Sequence, residues 1–158
     1  MSAVVEEGWE ETVTFRHPPT ERPDDEGQGV VHADFAVAGH RAVVDVDSEL
    51  GLVSVVRVDT AQDVGKALHP ESVRGQIEGG ILQGVGLAVM EELVMEGGII
   101  KNPTFTDYLL PTILDAPAVE ALLIEQDGSW GPFGAKGVGE SPTISSTLAL
   151  GRDAWAVN

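Results

Sequence analysis

Gly75-Gln76-Ile77-Glu78-Gly79-Gly80-Ile81-Leu82-Gln83-Gly84-Val85-Gly86 is the stretch on which the reading of the fold turns. Ile77, Ile81, Leu82, Val85, Leu87, Ala88, Val89, Leu93 and Val94 recur at mostly helical spacing across it and beyond it. Upstream, Pro70 can open a first turn, with His69 before it and Glu71 where a negative charge complements a helix N-terminus. One long helix from Pro70 to about Met95 is expected, closed by Gly97-Gly98. Gly75, Gly79, Gly80, Gly84 and Gly86 lie inside it, each costing up to ~1 kcal/mol relative to alanine. They leave room for another backbone, or a ligand, to come very close.

Towards the N-terminus, Val30 to Thr60 alternates with period two: Ala33, Phe35, Val37, then Ala42, Val44, Val46, then Leu52, Val53, Val55, Val56, Val58. Three antiparallel strands are expected, turned at Gly39-His40 and at Asp47-Ser48-Glu49-Leu50-Gly51. Before them, residues 1–29 are acidic, carry prolines between Pro18 and Pro23, and read as an extended arm or linker, with Thr12-Val13-Thr14-Phe15 a candidate short strand.

Towards the C-terminus, Ile99-Ile100 and Thr104-Phe105-Thr106 are candidate short strands, and Val119 to Glu125 reads as a longer one. Asp107 to Leu114 is ambiguous. Gly128 to Gly139 is a loop with five glycines, and a helix from about Pro142 to Trp155 follows, with Ser141 as its N-cap. The fold class is α+β: antiparallel strands, a long Gly-rich helix and a C-terminal helix. The domain reading is an arm over 1–29 and a body over 30–158.

The 158 residues carry 42% hydrophobic and 22% charged side chains, the profile of a globular segment. Nine Lys+Arg against 26 Asp+Glu give a net charge of −17, which argues against nucleic acid or an anionic membrane as a partner. Cysteine is absent, so any redox centre held by protein thiolates must sit on another chain. Met1 to Glu7 lacks a basic start and an apolar run, and no stretch approaches the ~20 apolar residues of a membrane span, so a cytoplasmic location is expected.

The stretch richest in chemistry is Gly131-Pro132-Phe133-Gly134-Ala135-Lys136-Gly137-Val138-Gly139-Glu140-Ser141-Pro142. Its glycines leave backbone N–H groups unshielded, and it runs into a helix N-terminus, where unpaired donors and the dipole favour anions. A carboxylate at that junction, Glu140, suits a general base. A capping Glu in an ordinary Gly-rich turn is the competing reading. No dinucleotide or phosphate-loop spacing occurs, and His17, His32, His40 and His69 have no patterned partner. On the helix, Gly79, Gly80 and Gln83 fall on one side, so Gln83 can reach across bare glycine to a ligand. Helix packing through glycine is the alternative the segment alone favours.

Together these segments resemble the molybdenum hydroxylases, the xanthine dehydrogenase and aldehyde oxidase family. Gly75 to Gly86 followed by Glu91-Glu92 is similar to the family helix that brings a glutamine to the pyranopterin. Gly134-Ala135-Lys136-Gly137-Val138-Gly139-Glu140 is similar to the loop whose glutamate acts beside molybdenum, and Asn102, Tyr108, Pro111, Asp115 and Pro117 match the spacing between them. The resemblance covers roughly Val31 to Thr147. The wording of Thr60 to Gly65 and Phe105 to Tyr108 is nearest to bacterial xanthine dehydrogenase subunits.

The resemblance implies Glu140 as catalytic base. It implies Gln83, Lys136, Gly137, Val138 and Gly139 as cofactor-binding residues, with no protein metal ligand from this chain. The implied cofactor is a molybdenum-pyranopterin, as molybdopterin or its cytosine dinucleotide. Iron–sulfur and FAD centres are implied on partner subunits, together with the remaining large-subunit segment. The implied reaction oxidises a small N-heterocycle or aldehyde with oxygen from water. The rivals are a structural or assembly module, or a relative acting on carbon monoxide, nicotinate or isoquinoline. A fragment, split subunit or truncated product, inactive alone, is expected.

Overall fold

The computed structural model describes residue 8 and residues 10–127 and 130–155, the last four by backbone only. The readings of Met1 to Glu7, Gly128 and Ala156 to Asn158 lie outside the described residues. The chain divides into two units, Met1–Ala33 and Asp34–Asn158. Among the described residues of the first there is no strand or helix. Its organised part is a turn in which Asp24 Oδ1 accepts from Glu26 N (3.0 Å) and Gln28 N (2.7 Å), with Gly27 at φ +79°. Thr12 to Phe15 forms no strand. Val13 is exposed and has no pairing partner there.

The second unit is built on a three-stranded sheet. β1 (Ala38–Asp47) and β2 (Leu52–Asp63) form an antiparallel hairpin, turned where Asp47 Oδ1 accepts from Glu49 N and Leu50 N and Gly51 takes φ +68°. The alternation from Val30 to Thr60 predicts three strands, but only two form. Gly39 and His40 are no turn: they lie within β1, paired with Ala61 and Thr60. Phe35 and Val37 precede β1 with their side chains exposed, although Val37 O accepts from Asp63 N at 2.8 Å beyond the last strand pair.

α1 (Pro70–Val89) has His69 as its N-cap, the imidazole accepting from Ser72 N at 3.0 Å. It stops at Val89 rather than near Met95, with Gly86 O accepting from both Met90 N and Glu91 N. Glu91 and Glu92 follow at the helix C-terminus, where negative charge is unfavourable. Gly97 and Gly98 therefore do not close the helix. They turn the hairpin of β3 (Met95–Glu96) and β4 (Ile99–Ile100), at φ +58° and +79°, a left-handed pair only glycine takes easily. Thr104 to Thr106 is a turn rather than a strand, with Thr104 O accepting from Asp107 N and Tyr108 N.

β5 (Ala118–Ile124) joins β2 in parallel, from Arg57↔Ala118 to Asp63↔Ile124. α2 (Ser141–Trp155) closes the fold, packing on α1 and on the β1 side of the sheet. Ser141 is its first residue and not its cap; the carbonyl of Glu140 accepts from Thr143 N and Ile144 N. Val58, Ile77, Ile81, Val85 and Leu150 form the buried centre, flanked by Ala42, Val44 and Val55 and by Val119, Ala121 and Leu123.

Two of the helix glycines are explained by this packing. A Cβ on Gly80 would lie 2.8 Å from Pro142 Cβ, and one on Gly84 would lie 2.1 Å from Ser146 Oγ. Nothing lies within 4 Å of a Cβ at Gly75 or Gly79. Gly84→Ala should therefore destabilise the fold by about 1–3 kcal/mol through overpacking. Gly79→Ala should stabilise it by up to about 1 kcal/mol through helix propensity. Urea unfolding of the two variants checks this; equal effects would remove the packing argument.

Candidate functional site

The site is organised by the end of β2. Gly65, at φ +58°, passes so close to the loop that a Cβ there would stand 2.2 Å from Gly134 O. Backbone bonds stitch the two segments, Lys66 N to Gly134 O at 2.7 Å and Lys136 N to Val64 O at 3.0 Å, around a bridge of Gly65 with Ala135. Upstream of the bridge, Pro132–Gly134 makes one 3-10 turn in which Phe133 takes φ 57°.

The bridge carries Lys136 onto Asp63. Its ammonium donates to Asp63 Oδ2 at 2.6 Å and to Phe35 O at 2.7 Å, with Asp34 Oδ1 at 3.7 Å. Asp63 Oδ1 accepts in turn from Gly65 N at 3.0 Å. The hydrogen bond to Asp63 holds the Lys136 ammonium above the usual lysine range, and the charge of Asp34 adds to this. Both partners are nearly buried, with side chains 10% and 5% exposed.

Beyond Lys136 the loop alternates. Val138 turns inward and packs against the core, while Gly137, Gly139 and Glu140 face solvent. Nothing stands within 4 Å of a Cβ at Gly137 or Gly139. Glu140 sits at the N-terminal end of α2, and its carboxylate makes no hydrogen bond or ion pair with another described residue. Gln83, exposed on α1, accepts from Thr143 Oγ1 at 3.4 Å, one helical turn beyond Glu140. The close contact of α1 with α2 through Gly80 and Gly84 is what puts it there.

Comparisons with known proteins identify the family to which this fold belongs. The model of the molybdopterin cofactor-binding domain matches residues 1–117. This chain belongs to the molybdenum hydroxylase family. The nicotine 6-hydroxylase large subunit of Paenarthrobacter nicotinovorans is 36% identical over 117 residues, 73% of this chain and 14% of that protein. The xanthine dehydrogenase molybdenum-binding subunit of Escherichia coli is 34% identical over 107 residues, 66% of this chain and 14% of that protein. The crystal structure of the aldehyde oxidoreductase of Desulfovibrio desulfuricans superposes with a TM-score of 0.76 at 32% identity, over 84% of this chain and 14% of that one. The molybdopterin-binding domain described here thus spans 14% of the length of each of these relatives.

The structure brings Gln83, Gly137, Gly139 and Glu140 to one region, the first turn of α2 and the loop before it. Lys136 and Val138 stand behind them, one in an ion pair and one in the core. Among the described residues no group of three or more His, Asp or Glu gathers to hold a metal ion. Sequence reasoning missed Asp63 and Gln62. Asp63 had a local signal in Asp63-Val64-Gly65, an Asx turn before a glycine. Gln62 had none.

Removing the cation from Asp63 should be felt more than breaking an open pair. Lys136→Met should lower the urea midpoint further than Lys66→Met, whose partner Glu125 is exposed. Because the folded pKa of Lys136 is raised above the ordinary 10.5, its stabilisation is complete below about pH 10.5 and is lost as pH rises through the folded value. Wild type should show that alkaline loss, and Lys136→Met should lack it.

Proposed function

We propose that this domain supplies the general base and part of the cofactor cradle of a molybdenum-dependent hydroxylase of the xanthine dehydrogenase type. The observation that carries the reading is the stance of Glu140: an exposed carboxylate with no partner among the described residues, at a helix N-terminus, beside two bare glycines and one turn from the Gln83 contact. The donor set fits a pyranopterin. Gln83 offers its amide N–H groups, and the N–H groups of Gly137 and Gly139, which donate to no described residue, offer contacts that need no side chain.

When bound, the molybdenum-pyranopterin, as molybdopterin or its cytosine dinucleotide, would supply the two-electron oxidation. Glu140 accepts a proton from the water that provides the oxygen and returns it to solvent. Lys136 keeps the loop in place from behind. The substrate is an N-heterocycle or aldehyde. Relatives named for nicotine and for quinoline, both N-heterocycles, support the first class. Electrons leave through iron–sulfur and FAD centres on partner subunits, in the cytoplasm.

Activity requires the rest of a large subunit. The short share of each relative that the chain spans supports this, as does the bare apolar surface of the second unit, where Phe105, Ile113 and Leu114 are 83%, 84% and 92% exposed. Among the described residues no helix is long and apolar enough to cross a membrane.

In the assembled enzyme, Glu140→Gln should keep its molybdenum and lose turnover by about 10²–10⁴-fold, since the amide preserves volume but cannot take a proton. Cofactor retention with turnover near wild type would exclude Glu140 as the base. Gln83→Ala should lower pterin occupancy with little change in thermal midpoint, removing one ligand hydrogen bond of about 1–3 kcal/mol. Full occupancy with a large stability loss would make Gln83 a packing residue instead.

A further inference from the structure

Gln62 is a nearly fully buried amide, 1% exposed, that the chemistry above does not use. Its Oε1 accepts from Ser141 Oγ at 2.9 Å. Its Nε2 donates to Thr60 Oγ1 at 3.1 Å and lies 3.2 Å from His40 Nε2. Thr60 donates onward to Gly39 O at 3.2 Å, so the amide is held within the β1-β2 pair by partners on both strands. Burial of an unpaired amide is costly, which gives each of these bonds weight.

Ser141 directly follows Glu140 and opens α2. The carbonyl of Glu140 is held by Thr143 N at 3.1 Å and Ile144 N at 3.3 Å, so its backbone moves with the first turn of the helix. At the other end of the loop, the neighbour of Gln62 on β2, Asp63, receives Lys136 at 2.6 Å. Two consecutive residues of one strand thus hold the loop at both ends. Only residues 137 to 140 span the gap, with Val138 anchored in the core.

We infer that Gln62 is a positioning residue for Glu140, acting through Ser141, an inference that rests on the proposed role of Glu140. Gln62 touches neither cofactor nor substrate. It fixes the start of α2 to the sheet, so that the carboxylate and the open glycines keep one relative placement.

The test uses the assembled, molybdenum-loaded enzyme carrying Ser141→Ala, Ser141→Thr, Gln62→Leu, the Gln62→Leu/Ser141→Ala pair, or Glu140→Gln. Ser141→Ala and Gln62→Leu should each lower kcat per bound molybdenum by about 10–100-fold, the penalty of a misplaced catalytic group. KM should stay within about twofold, since uniform binding is untouched. Ser141→Thr, which keeps the hydroxyl, should restore kcat, and the double variant should be no worse than Gln62→Leu alone. Independently of activity, hydrogen exchange at the Thr143 and Ile144 amides should quicken in Ser141→Ala. Wild-type kcat per molybdenum in Ser141→Ala, with Glu140→Gln inactive, would overturn the positioning role and leave Glu140 as base. Losses confined to thermal midpoint or molybdenum content would reduce the bond to a structural one. An active Glu140→Gln enzyme would bring down both readings together.

Discussion

The approach of Gly65 to the carbonyl of Gly134 is the contact on which the site depends. At φ +58° and with a Cβ position 2.2 Å from that oxygen, no residue but glycine fits without moving the loop. The contact permits the two backbone bonds that carry Lys136 onto Asp63. A segment rich in glycine has much conformational freedom to lose on folding, and that loss opposes any fixed placement of Glu140. Bridging the loop at Ala135, burying Val138 and tying Ser141 to Gln62 divides this freedom into short spans. What remains open is two glycines and one carboxylate.

α1 follows the same logic from the other side. Its glycines weaken it as an isolated helix, and tertiary packing has to make up the difference. Gly80 and Gly84 bring Pro142 and Ser146 of α2 to a distance that side chains would prohibit. Gln83 lies between those two positions in sequence, and so its amide meets Thr143. Gly80 and Gly84 thus pack against α2 and Gly86 against Pro111, while Gly75 and Gly79 stay open.

Much of this was legible from residues alone, and the failures have physical causes. The alternation of Ala42, Val44 and Val46 marks β1 because a hairpin partner lies next along the chain. The same alternation at Phe35 and Val37 marks no strand, since periodicity reports a face that could be buried and these side chains stay exposed. Gly97-Gly98 between short apolar runs is equally a helix stop and a hairpin turn; the charges of Glu91 and Glu92 were the clue that the helix had already ended. Gln83 and Glu140 were candidates on motif wording alone. Asp63 and Gln62 were not, because their partners Lys136 and Ser141 are 73 and 79 residues away and only the fold joins them.

The charge balance limits how such a site can hold an anion. The chain has nine Lys+Arg against 26 Asp+Glu, and the described cations of the second unit are already engaged. Arg41 and Arg57 meet Asp59, Lys66 meets Glu125, and Lys101 meets Glu96. Arg74 donates to Ala121 O, and Lys136 is neutralised by Asp63. An anionic ligand at the loop would therefore meet backbone N–H groups and a helix N-terminus, which act through direction rather than net charge. Direction is a property of loop shape. A change at Gly65 or Ser141, which contribute no charge, should on this account disturb the placement of these donors more than loss of an exposed lysine elsewhere.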